Sequence, residues 1–263
     1  WHKWSQEKYN YKLKQCQISG WDSHPQTVSN FCITGGDENY IFIIDNRSVI
    51  SGMRAGLYYD LSKVTDVDWS NEKWDRSTRE IMSKGSKFYS MRPIIPEPRG
   101  GVFFNKRLLE EAGIDPEEPY NLQKEGKWTW ETFEDLVAKC TRDIDNDGIM
   151  DIWGMANSST EFVPLAVMSN GTAMIGRDAN GKYINNIGTD KSLEALKWCA
   201  HMATNYEKPQ PEGSEWNWMY PAFVNGEVAF QVDQEYHAQP NGTYAQMKDD
   251  FGFVCFPLGP SGD

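Results

Sequence analysis

Hydrophobic residues along the chain follow two spacings, one typical of strands and one typical of helices. An apolar run rich in Ile, Phe and Tyr covers residues 38–45 and ends in the polar cluster Asp45-Asn46-Arg47. A helical pattern then runs from Ser48 to Arg54. A strand, a polar turn and a helix in this order form an α/β unit, and ligands of open α/β sheets bind at such strand ends.

The same alternation continues through the rest of the chain. Three prolines between Pro93 and Arg99 exclude a helix, so we predict an extended segment that connects two lobes. Thr129 is a residue type that caps helices, and an apolar face follows it. Further predicted elements are the strand Gly101–Phe104, the helix Lys106–Ala112, a helix from Asp190, a helix at Tyr220–Val224 and the strand Glu227–Asp233. Alternating helices and strands place the fold in the α/β class.

Charge and composition narrow the possible functions. The chain has 26 basic and 38 acidic residues, a net charge of -12, and so lacks the basic surface that nucleic-acid binding requires. The sequence has no apolar run near the roughly 20 residues of a membrane span, and we expect any signal segment to have been removed. Aromatic residues make up 13% of the chain. Rings with polar edges suit sugar faces, although such rings equally build cores.

The five cysteines stand far apart, without a CxxC pair or metal-like spacing, and their odd number leaves one unpaired within the chain. Cys140 and Cys199 lie in helical apolar patterns. We therefore predict that these two are small buried hydrophobic residues.

Four segments carry a family resemblance. They are GVFFNKRLLEEAGID at 101–115, KWTWETF at 127–133, AFVNGEVAF at 222–230 and GFVCFPLGP at 252–260. In this order they resemble the family 1 extracellular solute-binding proteins of ABC transporters, the maltose-binding-protein-like group. The resemblance implies an α/β fold of the periplasmic-binding-protein-like type II, a two-lobe clamshell that closes around its solute.

The resemblance also implies a division of the chain. Residues 1–98 correspond to a partial N-terminal lobe, 99–249 to the C-terminal lobe, and 250–263 to a strand that crosses back to the N-terminal lobe. The family has a strand before the position of Trp1 and further helices after that of Asp263. By this resemblance the chain is truncated at both ends.

The implied function is capture of a carbohydrate, an oligosaccharide, in the cleft between the lobes for the membrane permease of an ABC importer. The resemblance implies a monomer without nucleic acid as a partner, outside the cell as a cell-surface lipoprotein or in the periplasm. The sequence contains no GxSxG, HExxH or P-loop motif, and we expect a binder rather than an enzyme. The alternatives are a glycoside hydrolase with paired carboxylates and a cell-surface attachment module.

Candidate ligand-binding residues fall where the family holds its solute. The resemblance implies sugar contacts at Asp45, Asn46 and Arg47, and the alternative is a solvated surface turn. Glu97 and Arg99 lie on the segment between the lobes. There they either line the cleft or form a salt bridge at the hinge.

Tyr236 follows the strand after GEVAF, at a position where the family holds an aromatic ring under a sugar. Asp233 and Glu235 beside it would accept hydrogen bonds from hydroxyl groups. Two tryptophans before the preceding helix either reach the cleft or pack under that helix. The further candidates are Trp216, Trp218 and Glu161.

A loop with a calcium-binding pattern follows the helix that Thr129 begins. Residues 143–151, DIDNDGIMD, match the first nine positions of an EF-hand loop, and Gly154 replaces the glutamate of the twelfth. We predict a structural Ca²⁺ site and no required cofactor. The alternative is a turn held by hydrogen bonds from Asp side chains to the backbone. The predicted oxygen ligands come from Asp143, Asp145, Asp147, Ile149 and Asp151.

Overall fold

The chain divides into two units, Trp1–Pro96 and Glu97–Asp263. This computed structural model describes residues 1–20, 22–35, 39–44, 46–94, 99–180 and 182–262, and for 46–49 the backbone alone. Among these residues, the first unit holds mainly helices and the second holds a four-stranded sheet.

Short helices and one two-stranded ladder make up the first unit. They are α1 (His2–Tyr9), α2 (His24–Thr34), α3 (Asn46–Arg54), a 3-10 helix at Leu61–Lys63, α4 (Arg76–Ile81), β1 (Ser83–Lys84) and β2 (Lys87–Phe88). Helix α4 begins after Asp75, whose Oδ1 accepts a hydrogen bond from the backbone N–H of Ser77 at 2.9 Å. This bond satisfies a donor that the first turn leaves free.

The strand predicted at 38–45 is not formed in the described part of that segment. Residues 39–44 belong to no helix or strand, and Ile41 and Ile43 are 91% and 90% exposed. Tyr40 and Phe42 instead stack on each other and meet Phe31 of α2 edge-on. The alternation of side chains is that of a strand, but a strand needs a paired neighbour to be stable. The helix predicted from Ser48 is α3.

The second unit contains every element predicted from residue 101 onward, with small differences at the ends. Its elements are β3 (Gly100–Asn105), α5 (Lys106–Glu111), α6 (Glu118–Lys124), α7 (Trp130–Cys140), β4 (Trp153–Met155), α8 (Ser159–Ser169), β5 (Ile175–Arg177), β6 (Tyr183–Asn185), α9 (Asp190–Tyr206), α10 (Met219–Val224), β7 (Val228–Gln234), 3-10 helices at Glu235–Ala238 and Thr243–Gln246, and β8 (Phe251–Cys255).

Local chemistry explains where these elements start. Asn105 caps α5, because its side chain accepts a hydrogen bond from the backbone N–H of Leu108 at 3.2 Å. Thr129 caps α7 as predicted, and Thr132 reaches back to the N–H of Thr129 at 3.0 Å. The chain turns after α5 at Gly113, whose φ of 74° favours glycine.

The four-stranded sheet has the order β4-β7-β3-β8, with β3 antiparallel to both neighbours and β4 parallel to β7. Helices and loops cover both faces, so β3 and β7 are buried along almost their whole length. On one face Phe230 packs edge-on against Phe133 of α7. On the other, Phe103 packs against Phe223 of α10 and the ring of Tyr244.

Glycines make room for rings in this sheet. Gly252 of β8 lies opposite Phe104 of β3, and a Cβ at Gly252 would overlap the Phe104 ring. Gly101 of β3 faces the ring of Phe253 in the same way. These strands approach closely because neither glycine has a side chain.

The last strand is part of the four-stranded sheet. Phe251–Cys255 forms β8, which is paired with β3 inside the second unit. The return of residues 250–263 to the first lobe stays a prediction.

Two of the cysteines lie in the interior of the second unit. Cys140 and Cys199 are buried as predicted, and burial raises the pKa of both thiols to about 12.

Among the described residues, no helix is both long enough and apolar enough to cross a membrane.

Candidate functional site

Sequence-distant candidates meet where β7 ends. The 3-10 helix Glu235–Ala238 follows β7 directly, and the backbone N–H of Glu235 donates to the carbonyl of Arg99 at 3.2 Å. Because β3 and β7 are antiparallel, the start of β3 lies beside the end of β7. The fold therefore brings Arg99 close to Tyr236.

Glu161 joins this region from the first turn of α8. The side-chain Nε2 of Gln234 donates to Glu161 Oε1 at 3.0 Å. Burial raises the pKa of Tyr236, the charges of Asp233 and Glu161 raise it further, and Arg99 lowers it. Tyr236 nevertheless keeps 45% of its surface exposed. We call the group formed by Arg99, Glu161, Gln234 and Tyr236 the Tyr236 surface.

A row of aromatic rings extends from the Tyr236 surface. The Tyr236 ring stacks on His237 at 4.3 Å between centroids, and His237 lies 4.7 Å from Tyr220 of α10. Trp216 meets Tyr220 edge-on at 6.3 Å. Tyr236 and Trp216, at the two ends of the row, are the exposed rings, with 45% and 73% of their surfaces open.

Asp233, a predicted acceptor for solute hydroxyls, has a buried side chain. It is 3% exposed, its Oδ2 accepts from the hydroxyl of Tyr244 at 2.8 Å, and its Oδ1 accepts from the N–H of Gln234 at 2.7 Å. The side chains of Asp233 and Gln234 point to opposite faces of β7, as alternate strand residues do.

A groove of about 980 Å³ lies beside α8 and α9, within the size range of ligand pockets. Glu207 Oε1 accepts from the backbone N–H of Asn157 at 2.9 Å, and burial raises the pKa of Glu207. The buried Nδ2 of Asn157 has no hydrogen-bond partner among the described residues. We call this the Trp216 groove; its lining residues include Trp153, Asn157, Phe162, Glu207, Trp216 and Trp218.

The two tryptophan candidates behave differently. Trp216 is 73% exposed and forms part of the groove wall. Trp218 also lines the groove but is half-buried and packs against the core that contains Phe223. Trp218 therefore packs as one alternative predicts, and a contact of either tryptophan with the cleft stays a prediction.

The acidic loop brings three of its predicted ligands together. Carboxylate oxygens of Asp143, Asp145 and Asp151 lie within 4.8 Å of one another. The same side chains also hold the turn, since Asp143 Oδ2 accepts from the N–H of Gly148 at 2.8 Å and Asp151 Oδ2 from that of Ile144 at 2.7 Å. The oxygen-only donor set fits a hard cation such as Ca²⁺.

One predicted carboxylate ligand stands apart from that cluster. Asp147 is outside the three-carboxylate group and accepts from the N–H of Ile149 at 2.7 Å. The twelfth position is closed to any carboxylate, because a Cβ at Gly154 would lie 2.5 Å from the Val137 carbonyl oxygen of α7.

The side chains of four other candidates lie outside the described part of the structure. Asp45 and Glu97 lie outside the described residues, and the description of Asn46 and Arg47, the first residues of α3, ends at the backbone. The sequence did not single out Gln234, although it lies between the candidates Asp233 and Glu235. Neighbouring strand residues point to opposite faces, so the side chain of Gln234 points away from that of Asp233. The sequence also did not single out Asn157, Glu207 and His237, which no local pattern marks.

Solved structures share this fold at low sequence identity. An ABC substrate-binding protein from Listeria monocytogenes in complex with cycloalternan matches with a TM-score of 0.68 and 17% identity, over 98% of this chain and 62% of that one. Mycobacterium tuberculosis UgpB in complex with glycerophosphocholine matches with a TM-score of 0.67 and 15% identity, over 98% and 61%. A Thermus thermophilus maltotriose-binding protein bound with maltotriose gives 0.64 and 17%, over 100% and 63%.

These matches show the fold of the chain. The chain belongs to the bacterial extracellular solute-binding protein family, which it matches over residues 16–263. The resemblance seen in the sequence is thereby confirmed. The chain spans 61% to 65% of the length of the solved structures compared. Among curated proteins, none matches it significantly.

Proposed function

We propose that this chain captures a carbohydrate, an oligosaccharide, as the solute-binding component of an ABC importer, and that the Tyr236 surface is part of the binding site. The observation that carries the proposal is a half-exposed aromatic ring beside a paired amide and carboxylate. A sugar ring offers C–H groups to an aromatic face and hydroxyls to planar polar groups. The location of the solute between two lobes stays a prediction.

Each residue of the Tyr236 surface has a distinct part. The Tyr236 ring supports the solute, while Gln234 and Glu161 hold each other in place and keep further lone pairs and an amide proton for hydroxyl groups. Arg99, exposed at the start of β3, donates to sugar oxygens. The Trp216 end of the aromatic row extends the surface for a longer oligosaccharide.

A second solute class has support from the same residues. Arg99 suits a phosphate, and an exposed tyrosine ring suits a quaternary ammonium group. UgpB in its complex holds a ligand with both groups, glycerophosphocholine. Titration calorimetry with maltotriose, mannotriose and glycerophosphocholine separates the two classes.

The deciding experiment compares Tyr236→Ala with Tyr183→Ala. Tyr183 is 56% exposed on the β5–β6 hairpin and stacks with Arg177, so it is a matched surface tyrosine. We expect Tyr236→Ala to weaken binding of the recognised solute by about ten- to a hundredfold and Tyr183→Ala to leave it unchanged. Equal affinities in both variants would remove Tyr236 from the site, and no binding of any oligosaccharide by the wild type would contradict the carbohydrate assignment.

The absence of catalysis is part of the same proposal. A glycoside hydrolase would release product from a chromogenic glycoside, whereas a binder gives saturable binding without turnover. We propose an extracellular or periplasmic monomer, anchored as a lipoprotein, with the membrane permease of the importer as its partner. An acylation assay tests the lipoprotein anchor. Light scattering measures the mass in solution and so tests the monomer.

We also propose a structural Ca²⁺ at the loop 143–151, supported by the three converging carboxylates. A cation that binds the folded chain and not the unfolded one would raise the free energy of unfolding by an amount that grows with the logarithm of its concentration relative to Kd. The melting temperature should rise with Ca²⁺ in the wild type and not in Asp145→Asn. Asp178→Asn is the control, since Asp178 also accepts from two backbone N–H groups but belongs to no carboxylate cluster among the described residues. A wild type that melts at the same temperature with and without Ca²⁺ leaves a turn held by its own side chains.

A further inference from the structure

Buried polar groups surround the imidazole on which the Tyr236 ring stacks. Asp233, His237 and Tyr244 are 3%, 5% and 1% exposed, and they come from β7 and the two 3-10 helices after it. Burial of polar groups costs free energy unless they are hydrogen-bonded. Their contacts show what this arrangement holds in place.

Both ring nitrogens of His237 face a fixed polar group. Its Nδ1 shares a hydrogen bond with Thr243 Oγ1 at 2.7 Å. Its Nε2 lies 3.4 Å from Asp233 Oδ1 but is not aligned for a hydrogen bond. Asp233 is itself held by Tyr244, whose hydroxyl donates to Oδ2 at 2.8 Å. Thr243 therefore holds the imidazole at Nδ1, and the fixed Asp233 carboxylate faces it at Nε2.

The imidazole in turn supports three tyrosine rings. Tyr236 stacks on it at 4.3 Å with an interplanar angle of 30°, Tyr220 lies at 4.7 Å, and Tyr244 lies at 5.4 Å. Of these, Tyr236 is the exposed ring, and His237 lies against it. Any rotation of the imidazole therefore changes the plane against which Tyr236 rests.

We propose that His237 is a positioning residue for Tyr236: its ring, fixed by Thr243 and faced by Asp233, sets the orientation in which the Tyr236 ring meets a solute. The importance of that orientation rests on the proposed function. The orientation itself can be measured without any solute.

The test uses the whole chain labelled with 3-fluorotyrosine and observed by fluorine NMR, with Tyr236→Phe to assign the signal. Thr243→Val removes one anchor without changing the side-chain shape, and His237→Phe keeps a stacked ring without polar atoms. We expect both variants to shift or broaden the Tyr236 signal, and Thr243→Ser to restore it. Thr34→Val is the control, since the Thr34 hydroxyl donates to a backbone carbonyl in α2.

Rescue by Thr243→Ser distinguishes positioning from simple packing, because serine keeps the hydroxyl that His237 Nδ1 contacts and loses only the methyl group. Binding of whichever probe the wild type recognises, maltotriose or mannotriose, should weaken by about fivefold in Thr243→Val, the effect of one hydrogen bond.

The outcomes separate the two proposals. If neither probe binds the wild type, the carbohydrate proposal fails, while the fluorine spectra still decide the role of His237. An unchanged Tyr236 signal in Thr243→Val overturns that role, and so does a Thr243→Ser signal that stays displaced like that of Thr243→Val. If His237→Phe does not fold, Thr243→Val and Thr243→Ser decide alone.

Discussion

The two units of the chain build their interiors in different ways. In the described residues of the first unit, the buried apolar side chains are Val28, Met82 and Phe88, and residues 39–44 leave two isoleucines about nine-tenths exposed. The second unit closes two apolar clusters on the faces of one sheet. The difference shows that strand pairing, more than apolar content, determines where hydrophobic residues become a core. The Tyr236 surface lies at the edge of that core, where β7 ends.

The largest expected effect tests this contrast directly. Phe104→Ala, in the middle of β3 and fully buried, should lower the free energy of unfolding by about 3–5 kcal/mol. Ile41→Ala, 91% exposed in the first unit, should change it by less than about 0.5 kcal/mol. Urea unfolding followed by circular dichroism measures both. A similar loss in the two variants would mean that the isoleucine belongs to a core.

Thiol labelling sharpens the comparison at single residues. At pH 8 a pKa of about 12 leaves about one part in ten thousand of Cys140 and Cys199 as the reactive thiolate, and burial also blocks the reagent. Cys16 and Cys255 are exposed. Iodoacetamide with mass spectrometry should therefore modify Cys16 and Cys255 in the native chain, and Cys140 and Cys199 after addition of urea. Rapid native labelling of Cys199 would contradict a closed second unit.

Ion pairs provide a smaller contrast. Arg107 donates to Asp249 at 2.8 Å and to Glu111 at 2.6 Å and joins α5 to the chain before β8, so Arg107→Leu should cost about 1 kcal/mol. Lys3 and Glu7 of α1 are 4.0 Å apart and mostly exposed, and Lys3→Ala should cost less than about 0.5 kcal/mol. The same unfolding experiment compares them, and equal costs would show that the Arg107 contacts add nothing.

The smallest effect is a pH dependence. Burial raises the pKa of Asp233 above its ordinary 3.8, so between these two values the folded chain binds more protons than the unfolded chain. The stability that Asp233 contributes is therefore greatest below pH 3.8 and falls as the pH rises through the folded-state pKa. Relative to Asp233→Asn, the wild type should lose free energy of unfolding over this range. A constant difference between the two would mean that the carboxyl titrates alike in both states.

The sequence predicted those parts of the fold that local patterns determine. Helix α7 has its cap and apolar face within one stretch, and β7 has a turn at each end. The segment 38–45 has the pattern of a strand, but pairing depends on a neighbour that no local pattern supplies. The burial of Asp233 was also beyond the sequence, because it requires knowing that Tyr244, eleven residues away, folds back over that face of β7.

The candidate site shows the same limit. Tyr236 was placed by resemblance, and its neighbours Glu161 and Arg99 were named for positions far apart in the chain. Their meeting depends on an antiparallel register that pairs Gly100 with Gln234. The support from His237 became visible only in three dimensions, because a histidine after a tyrosine has no distinctive spacing.

The close approach of Gly252 to Phe104 has a consequence for how this family can vary. The ring occupies the volume that a side chain at residue 252 would need. A sequence that gains a methyl group at this position should therefore also lose the ring opposite it, and the two positions should covary as a pair. A relative that carries both changes should keep the strands at their present distance, whereas a relative that gains the methyl group alone should have a wider spacing between these strands.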